Sequence, residues 1–332
     1  MAIKVQSELR KKLLDAFTNH QEEYLSGQYL ADLIGCSRTA VWKHIEDLRK
    51  EGFEMDAVRR KGYRITKVPD KVTADEITLG LKTNILGRHI HYEESVDSTQ
   101  KIAHRLVQDE APEGTIVVAE EQVSGRGRMG RNFYSPKYTG IFMSVILRPN
   151  IPPPKAPQLT LITAVAIVQA IEEMLEISPQ IKWPNDILIN GKKITGILTE
   201  LIADADRIQS IIIGIGINVN QEQKDFPDEL KEIAGSLAIA CKKQIKRSEL
   251  IQHVLMKLEQ LYLLYLEKGF YPIKLMWESY AISVGREITA RTLTGSIHGF
   301  AKGITEDGVL LIEDAAGKVH EIYSADIEIN NQ

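Results

Sequence analysis

Ser124-Gly125-Arg126-Gly127-Arg128-Met129-Gly130-Arg131 sets three glycines among three arginines in eight residues. Glycine tolerates φ > 0 and lets a backbone N–H come close to an anion. Each arginine adds a planar cation shaped to grip carboxylate or phosphate. A lone G-R-G would read better as a basic surface turn, so the neighbours of this stretch decide. Thr115-Ile116-Val117-Val118-Ala119 before it reads as a buried strand leading in through Glu120-Glu121-Gln122. Gly140-Ile141-Phe142-Met143-Ser144-Val145-Ile146-Leu147 after it reads as a longer one. The basic stretch is therefore expected to be a loop between strands of a core sheet.

Upstream, His91 to Val96 is strand-like, and Asp97-Ser98-Thr99-Gln100 should open a helix carrying Ile102, Ala103, Leu106 and Val107. Hydroxyls there sit beside free N–H groups and suit an anion or a ureido oxygen, or serve only as caps. Downstream, a proline-rich turn from Pro149 to Pro157 precedes an apolar helix from Leu159 to Leu175, read as core. Lys182-Trp183-Pro184-Asn185-Asp186 follows, and Asn190-Gly191 predicts a tight hairpin into Lys193-Ile194-Thr195-Gly196-Ile197-Leu198. A lysine buried there needs a negative partner. Asn and Asp together offer oxygen ligands for Mg²⁺ and its phosphates. Ser210 to Asn220 is an apolar strand with Gly214 and Gly216 inside it, a pattern that marks close approach by a ligand.

At the N-terminus, Leu9, Leu13 and Phe17 share one helical face. A second helix over Gln28 to Ile34 should turn Leu30, Leu33 and Ile34 inward and stop at Gly35. Ser37 should cap a third helix, with Val41, Ile45 and Leu48 buried and Glu51-Gly52 ending it. Ser37, Arg38, Thr39, Trp42 and Lys43 then face outward, as a recognition helix presents its side chains. Phe53 to Ile65 reads as a β-hairpin with Arg59, Arg60 and Lys61 at its tip, a wing suited to DNA backbone or minor groove. Lys67 to Lys82, with Pro69, reads as a boundary, in which Thr73-Ala74-Asp75-Glu76 caps a short helix.

At 332 residues the chain has room for two or three domains. Residues 1–67 hold 13 Lys and Arg against 10 Asp and Glu, net +3 in a chain of net −4, which leaves −7 for the rest. A basic head on an acidic body fits an anionic partner for the head alone. No apolar run is expected to span a bilayer, and Met1 to Glu8 lacks a signal-peptide core, so a cytoplasmic location is expected. Cys36 and Cys241 are far apart and read as buried thiols. The eight histidines show no metal-ligand spacing; His89 and His91 read as ordinary strand residues. No P-loop, nucleophile elbow or H-E-x-x-H is present. Leu250 to Leu266 is an amphipathic helix. After Trp277 come short strands punctuated by Gly295, Gly303, Gly308 and Gly317, a small barrel.

Four motifs in one order, the Gly-Arg loop, Lys182 to Asp186, Lys193 to Leu198 and Gly214-Ile215-Gly216-Ile217-Asn218, resemble the biotin protein ligases. With the winged head, the chain resembles the bifunctional bacterial form that also represses the biotin operon. Two positions depart from the family pattern: Phe133 stands where Trp is frequent, and Gln100 where Asn is frequent.

The resemblance implies an α+β multidomain fold. Its parts are a winged helix-turn-helix at 1–67, a linker at 68–82, a catalytic domain at 83–276 and an SH3-like barrel at 277–332. The catalytic domain is a mixed sheet flanked by helices, similar to class II synthetases. The implied chemistry is biotin plus ATP, with Mg²⁺, giving biotinyl-5′-AMP, then transfer to a lysine of a biotin carboxyl carrier domain. Acceptors are of the acetyl-CoA carboxylase or pyruvate carboxylase type. Lys193 and Arg128 are the implied catalytic residues. Ser98, Thr99, Gln122, Gly125, Arg126, Gly127, Arg128, Lys193, Gly196 and Gly214 are implied around biotin. Arg128, Arg131, Lys182, Asn185, Asp186 and Asn218 are implied at ATP, with Asp186 at Mg²⁺. Operator DNA, no membrane, and a homodimer formed on adenylate binding complete the expectation. A biotin-sensing transcription factor without turnover is the alternative; lipoate ligase ranks last.

Overall fold

The computed structural model describes residues 9–329 apart from 11, 15, 18, 19, 21, 22, 51, 52, 68, 69, 205 and 206. Met1 to Glu8, the expected helix stop at Glu51-Gly52, and Pro69 lie outside the described residues. Two compact units divide the chain, Met1–Lys71 and Val72–Gln332.

In the first unit the helix Gly27–Ile34 buries Leu30, Ala31 and Ile34, and it ends at Gly35 with φ 71°. Leu33 is 44% exposed, so the expectation that it faces inward is wrong; at that step of the helical turn Ala31 takes the inner face. The helix Arg38–Lys50 buries Val41, Ile45 and Leu48, and Ser37 Oγ accepts from Ala40 N–H. Leu13 and Phe17 are buried in the same core, with Leu9 packed against it. β1 (Glu54–Val58) and β2 (Gly62–Lys67) form the antiparallel wing hairpin. Gly62 has φ 120°, and a Cβ there would fall 2.0 Å from the Leu25 carbonyl oxygen, so only glycine closes this turn.

The second unit is built on a seven-stranded mixed sheet, ordered β3-β4-β5-β9-β8-β7-β6. Its strands are β3 (Ile90–Glu93), β4 (Ile116–Ala119), β5 (Gly140–Leu147), β6 (Gln180–Lys182), β7 (Asp186–Ile189), β8 (Lys192–Asp204) and β9 (Arg207–Asn218). β3 and β4 run parallel; the other neighbours are antiparallel. Asn190 and Gly191 both adopt φ > 0, the geometry the Asn-Gly signal requires of a tight β7–β8 turn.

The helix Ala156–Leu175 packs on one sheet face and is covered by the helix Arg247–Lys268. Residues Pro153–Leu175 are long and apolar enough to cross a membrane by length and composition, which corrects the expectation that no run is. Within it, 72% of an apolar 18-residue stretch is buried inside the protein, so the helix is core. The opposite face carries the helix Thr99–Gln108 through Ala103 and Val107. Both cysteines are half-buried rather than buried. The burial of Cys241 still pushes its thiol pKa up.

A second, five-stranded antiparallel sheet ends the chain as the SH3-like barrel, ordered β13-β12-β11-β10-β14. Its strands are β10 (Glu287–Thr292), β11 (Gly295–Ile304), β12 (Leu310–Glu313), β13 (Val319–Ile322) and β14 (Asp326–Ile329).

Candidate active site

The strand ends around the Gly-Arg loop enclose a cavity of about 490 Å³. It is lined by Ser98, Thr99, Gln122, Arg126, Gly127, Arg128, Arg131, Lys182, Asn185, Asp186, Lys193, Gly196, Gly214 and Asn218. Every residue proposed for biotin or ATP thus meets there except Gly125. A Cβ at Gly125 would lie 2.4 Å from the Phe133 carbonyl oxygen, so that glycine lets the loop fold back on its own stem.

Ser98 occupies the N-cap position of the helix Thr99–Gln108 in extended conformation, yet its side chain caps nothing. The helix terminus is satisfied instead from the segment that follows β4. Gln122 Oε1 accepts from Thr99 N–H at 2.9 Å and from Thr99 Oγ1 at 3.2 Å. Gln122 Nε2 donates to Ser135 Oγ at 3.1 Å, and Ser144 Oγ donates to Thr99 Oγ1 at 2.8 Å. Both ends of the Gln122 amide are thereby used, and Ser98 is relieved of capping. Ser144 was not singled out in the sequence, although it is the one hydroxyl in an otherwise apolar, fully buried strand.

The two strand glycines have an unexpected neighbour. A Cβ at Gly216 would come within 2.5 Å of the Phe133 ring, and one at Gly196 within 3.1 Å. The ring lies edge-on to Phe142 with centroids 6.4 Å apart. The glycines therefore make room for an aromatic side chain from the loop, which itself lines the cavity. Gly214 accommodates the Gln100 amide in the same way, with Gln100 Cδ 3.1 Å from the position of a Cβ.

Lys193 Nζ pairs with Asp186 Oδ1 at 2.7 Å, although the lysine is only half-buried rather than buried. Arg128 Nη1 donates to Asn185 Oδ1 at 3.0 Å, and Asn185 Nδ2 donates to the Ile197 carbonyl at 2.9 Å. Burial lowers the Arg128 pKa, while Asp186 and Asp326 offset part of that shift. Asn218 Nδ2 donates to the Gly235 carbonyl at 3.0 Å, tying β9 to the segment over the cavity.

Two further residues come from the barrel, where the sequence offered no candidate. Arg128 Nη2 donates to Ser324 Oγ at 2.7 Å, and Arg131 forms a two-pronged ion pair with Asp326, one prong at 3.2 Å. The Arg131 guanidinium holds the Asp326 carboxyl below the usual carboxylate range. The only available signal was an aspartate opening a short strand, which a surface turn also gives.

For a divalent ion the site offers the half-buried carboxylate of Asp186 beside the Asn185 amide, while Asp326, which also lines the cavity, is held by Arg131. Among the described residues no cluster of three His, Cys, Asp or Glu side chains could hold a metal. That donor set fits Mg²⁺, which keeps waters and binds through one or two carboxylates plus substrate phosphates.

In the first unit Ser37, Arg38, Thr39, Trp42 and Lys43 are all exposed on or before the helix Arg38–Lys50, and Trp42 is 53% exposed. Arg59, Arg60 and Lys61 are exposed at the wing tip. The arrangement exposes cations and one indole to solvent, side chains of the kinds that contact phosphates and base edges.

Comparison with known proteins agrees with both halves. The model of the biotin/lipoate A/B protein ligase family matches residues 92–218, an HTH domain matches 10–64, and the biotin protein ligase C-terminal domain matches 284–329. The bifunctional ligase/repressor BirA of Bacillus subtilis is 56% identical over 98% of this chain and 100% of its own length. The Escherichia coli protein of the same name is 28% identical over 88% of each chain. A biotin protein ligase of Aquifex aeolicus, solved with biotin and ATP, superposes with TM-score 0.64 at 33% identity, covering 74% of this chain and 100% of that one. With that identity along its whole length, the chain belongs to the family of the bifunctional ligase/repressor BirA, the biotin protein ligases that carry an N-terminal helix-turn-helix.

Proposed function

We propose that the protein joins biotin to a lysine of a biotin carboxyl carrier domain at the expense of ATP, and that it represses transcription when it holds the adenylate. The observation that carries the reading is the convergence of Lys193, Arg128, Arg131, Lys182 and Asp186 on one cavity with an apolar wall. A carboxylate and a triphosphate repel each other, and preorganised cations offset that repulsion.

In the first step the biotin carboxylate oxygen attacks the α-phosphorus. A C–O–P mixed anhydride forms, and pyrophosphate leaves. Lys193 holds the carboxylate and the charge developing on phosphorus, and its ammonium is shared with Asp186 beforehand. Arg128, Arg131, Lys182, Asn185 and Asn218 receive the nucleotide. Mg²⁺ bound with ATP supplies neutralisation of phosphate charge, and Asp186 with Asn185 would hold it. Ser98, Thr99 and Gln122 serve the polar ring of biotin, with Phe133 and the strand glycines against its fused rings. In the second step the neutral lysine amine of the carrier attacks the acyl carbon, AMP leaves, and the amine proton is lost. The anhydride hydrolyses in water, so the Gly-Arg loop closes over it.

On the transcriptional side, Ser37, Arg38, Thr39, Trp42 and Lys43 contact the major groove and Arg59, Arg60 and Lys61 the flanking backbone. Adenylate binding favours a homodimer, which spans paired half-sites. The regulated genes are those of biotin synthesis or uptake. Acceptors are carrier domains of acetyl-CoA carboxylase or pyruvate carboxylase type, and the location is cytoplasmic. The finer division of the second unit at residues 276 and 277 belongs to the same reading.

Incubation with biotin, ATP, Mg²⁺ and a carrier domain, read by mass spectrometry, tests the enzyme. One biotinyl group should be gained per carrier. No gain, with biotin still bound, would make the protein a sensor without turnover.

A further inference from the structure

Glu120 and Arg247 are both fully buried, and Arg247 Nη1 donates to Glu120 Oε2 at 2.7 Å. The same nitrogen donates to the Gly140 carbonyl at 2.9 Å. Glu120 directly follows β4 and Gly140 opens β5. One guanidinium therefore holds both ends of the segment 121–139, which contains the whole Gly-Arg loop. The other oxygen of the carboxylate, Oε1, accepts from Val72 N–H at 3.0 Å, at the first residue of this unit.

Two charges removed from water lose most of their mutual attraction to desolvation, so such a pair adds little stability over well-packed apolar residues. What it does supply is fixed geometry, because a planar donor and a planar acceptor meet in few orientations. The geometry matters here because Gln122 lies two residues beyond Glu120 and its amide caps the helix carrying Ser98 and Thr99. A shift of Glu120 moves the polar wall of the cavity and the root of the loop together.

We propose that Glu120 and Arg247 are positioning residues for the adenylation loop. They hold its two stem ends at one separation, so the loop bends at its glycines but returns to a single closed arrangement over the activated acid. Neither touches substrate. The inference rests on the ligase reading above and goes beyond it by assigning loop closure to a buried pair outside the cavity lining.

The test is the double variant Glu120→Gln/Arg247→Met, which removes both charges and keeps an acceptor for Val72 N–H. The full-length parent and variant are loaded with biotin and ATP without carrier. The rate of adenylate release is then followed by chase with excess biotin, alongside ligand-free melting. Expected are a melting temperature within about 5 °C of the parent, release faster by about tenfold, and adenylate formation within about threefold of the parent. Arg247→Lys, which keeps a cation beside Glu120, should fall between the two in release and serves if the double variant does not fold. Parental release in a folded variant overturns the inference. Release and formation impaired by the same factor would also overturn it, because that is general loosening. A parent that forms no adenylate sinks the ligase reading, and this inference with it.

Discussion

Lys193 and Asp186 pair diagonally across the β7–β8 hairpin, Lys193 lying opposite Leu188 and Asp186 opposite Gly196, with Nζ 2.7 Å from Oδ1. The ammonium thus has a resting partner inside the cavity, and the proposed reaction requires it to be drawn onto the substrate carboxylate.

Lys193→Ala should lower kcat for adenylate formation about 10²–10³-fold, the scale of one lost preorganised charge donor. Biotin and nucleotide affinity should change less, and melting little. Stopped-flow detection of pyrophosphate gives the rate. Near-parental rates would remove Lys193 from the chemistry.

Arg128 ties the loop to Asn185 in the β6–β7 turn and to Ser324 on the barrel. Arg128→Gly severs both ties and the proposed contact to the nucleotide. Adenylate should then leak into solution about tenfold faster, detected as biotinylation of bystander lysines. Unchanged leakage would contradict loop closure.

How much of this was legible in the sequence follows from which interactions are local. Asn190-Gly191, Gly35 and the Thr73-Glu76 capping box act within a few residues, and each was read correctly. The alternation of apolar strands and helices placed the core. Ser324 and Asp326 could not be read. They matter only because the barrel brings them to arginines nearly 200 positions earlier, and nothing near Asp326 distinguishes it from a turn aspartate. Arg247 and Glu120 were hidden for the same reason, 127 residues apart. Leu33 was misread because a four-residue apolar spacing does not say which flank of the stripe meets the core.

The Arg131–Asp326 pair is half-exposed, so Asp326→Asn should move melting by less than about 4 °C at neutral pH. The folded-state pKa of Asp326 is depressed, so the pair stabilises above the ordinary carboxylate range. That stabilisation is lost as pH falls through the lowered value. The difference in melting between parent and variant should therefore persist at neutral and alkaline pH and vanish in acid. A difference that grows in acid would contradict the assignment.

Gly216→Ala sets a methyl group where the Phe133 ring now lies. The ring must turn away, reshaping the apolar wall. KM for biotin should rise about tenfold, worth roughly 1.4 kcal/mol, with KM for ATP little changed. Equal increases in both would point to general damage to the sheet.

Lys61→Ala at the wing tip should weaken operator and random DNA alike and reduce the salt slope of binding by about one. Ligase turnover should stay at the parental level. Loss restricted to one sequence would make Lys61 a base contact rather than a phosphate contact.

The central claim is that one cationic cavity lets two anions react, so the most direct measurement is a single-turnover reaction of the purified full-length chain with biotin and MgATP. The account requires stoichiometric pyrophosphate release and a protein-bound biotinyl-5′-adenylate, which disappears when a carrier domain is added. Tight biotin binding with no pyrophosphate released would contradict it.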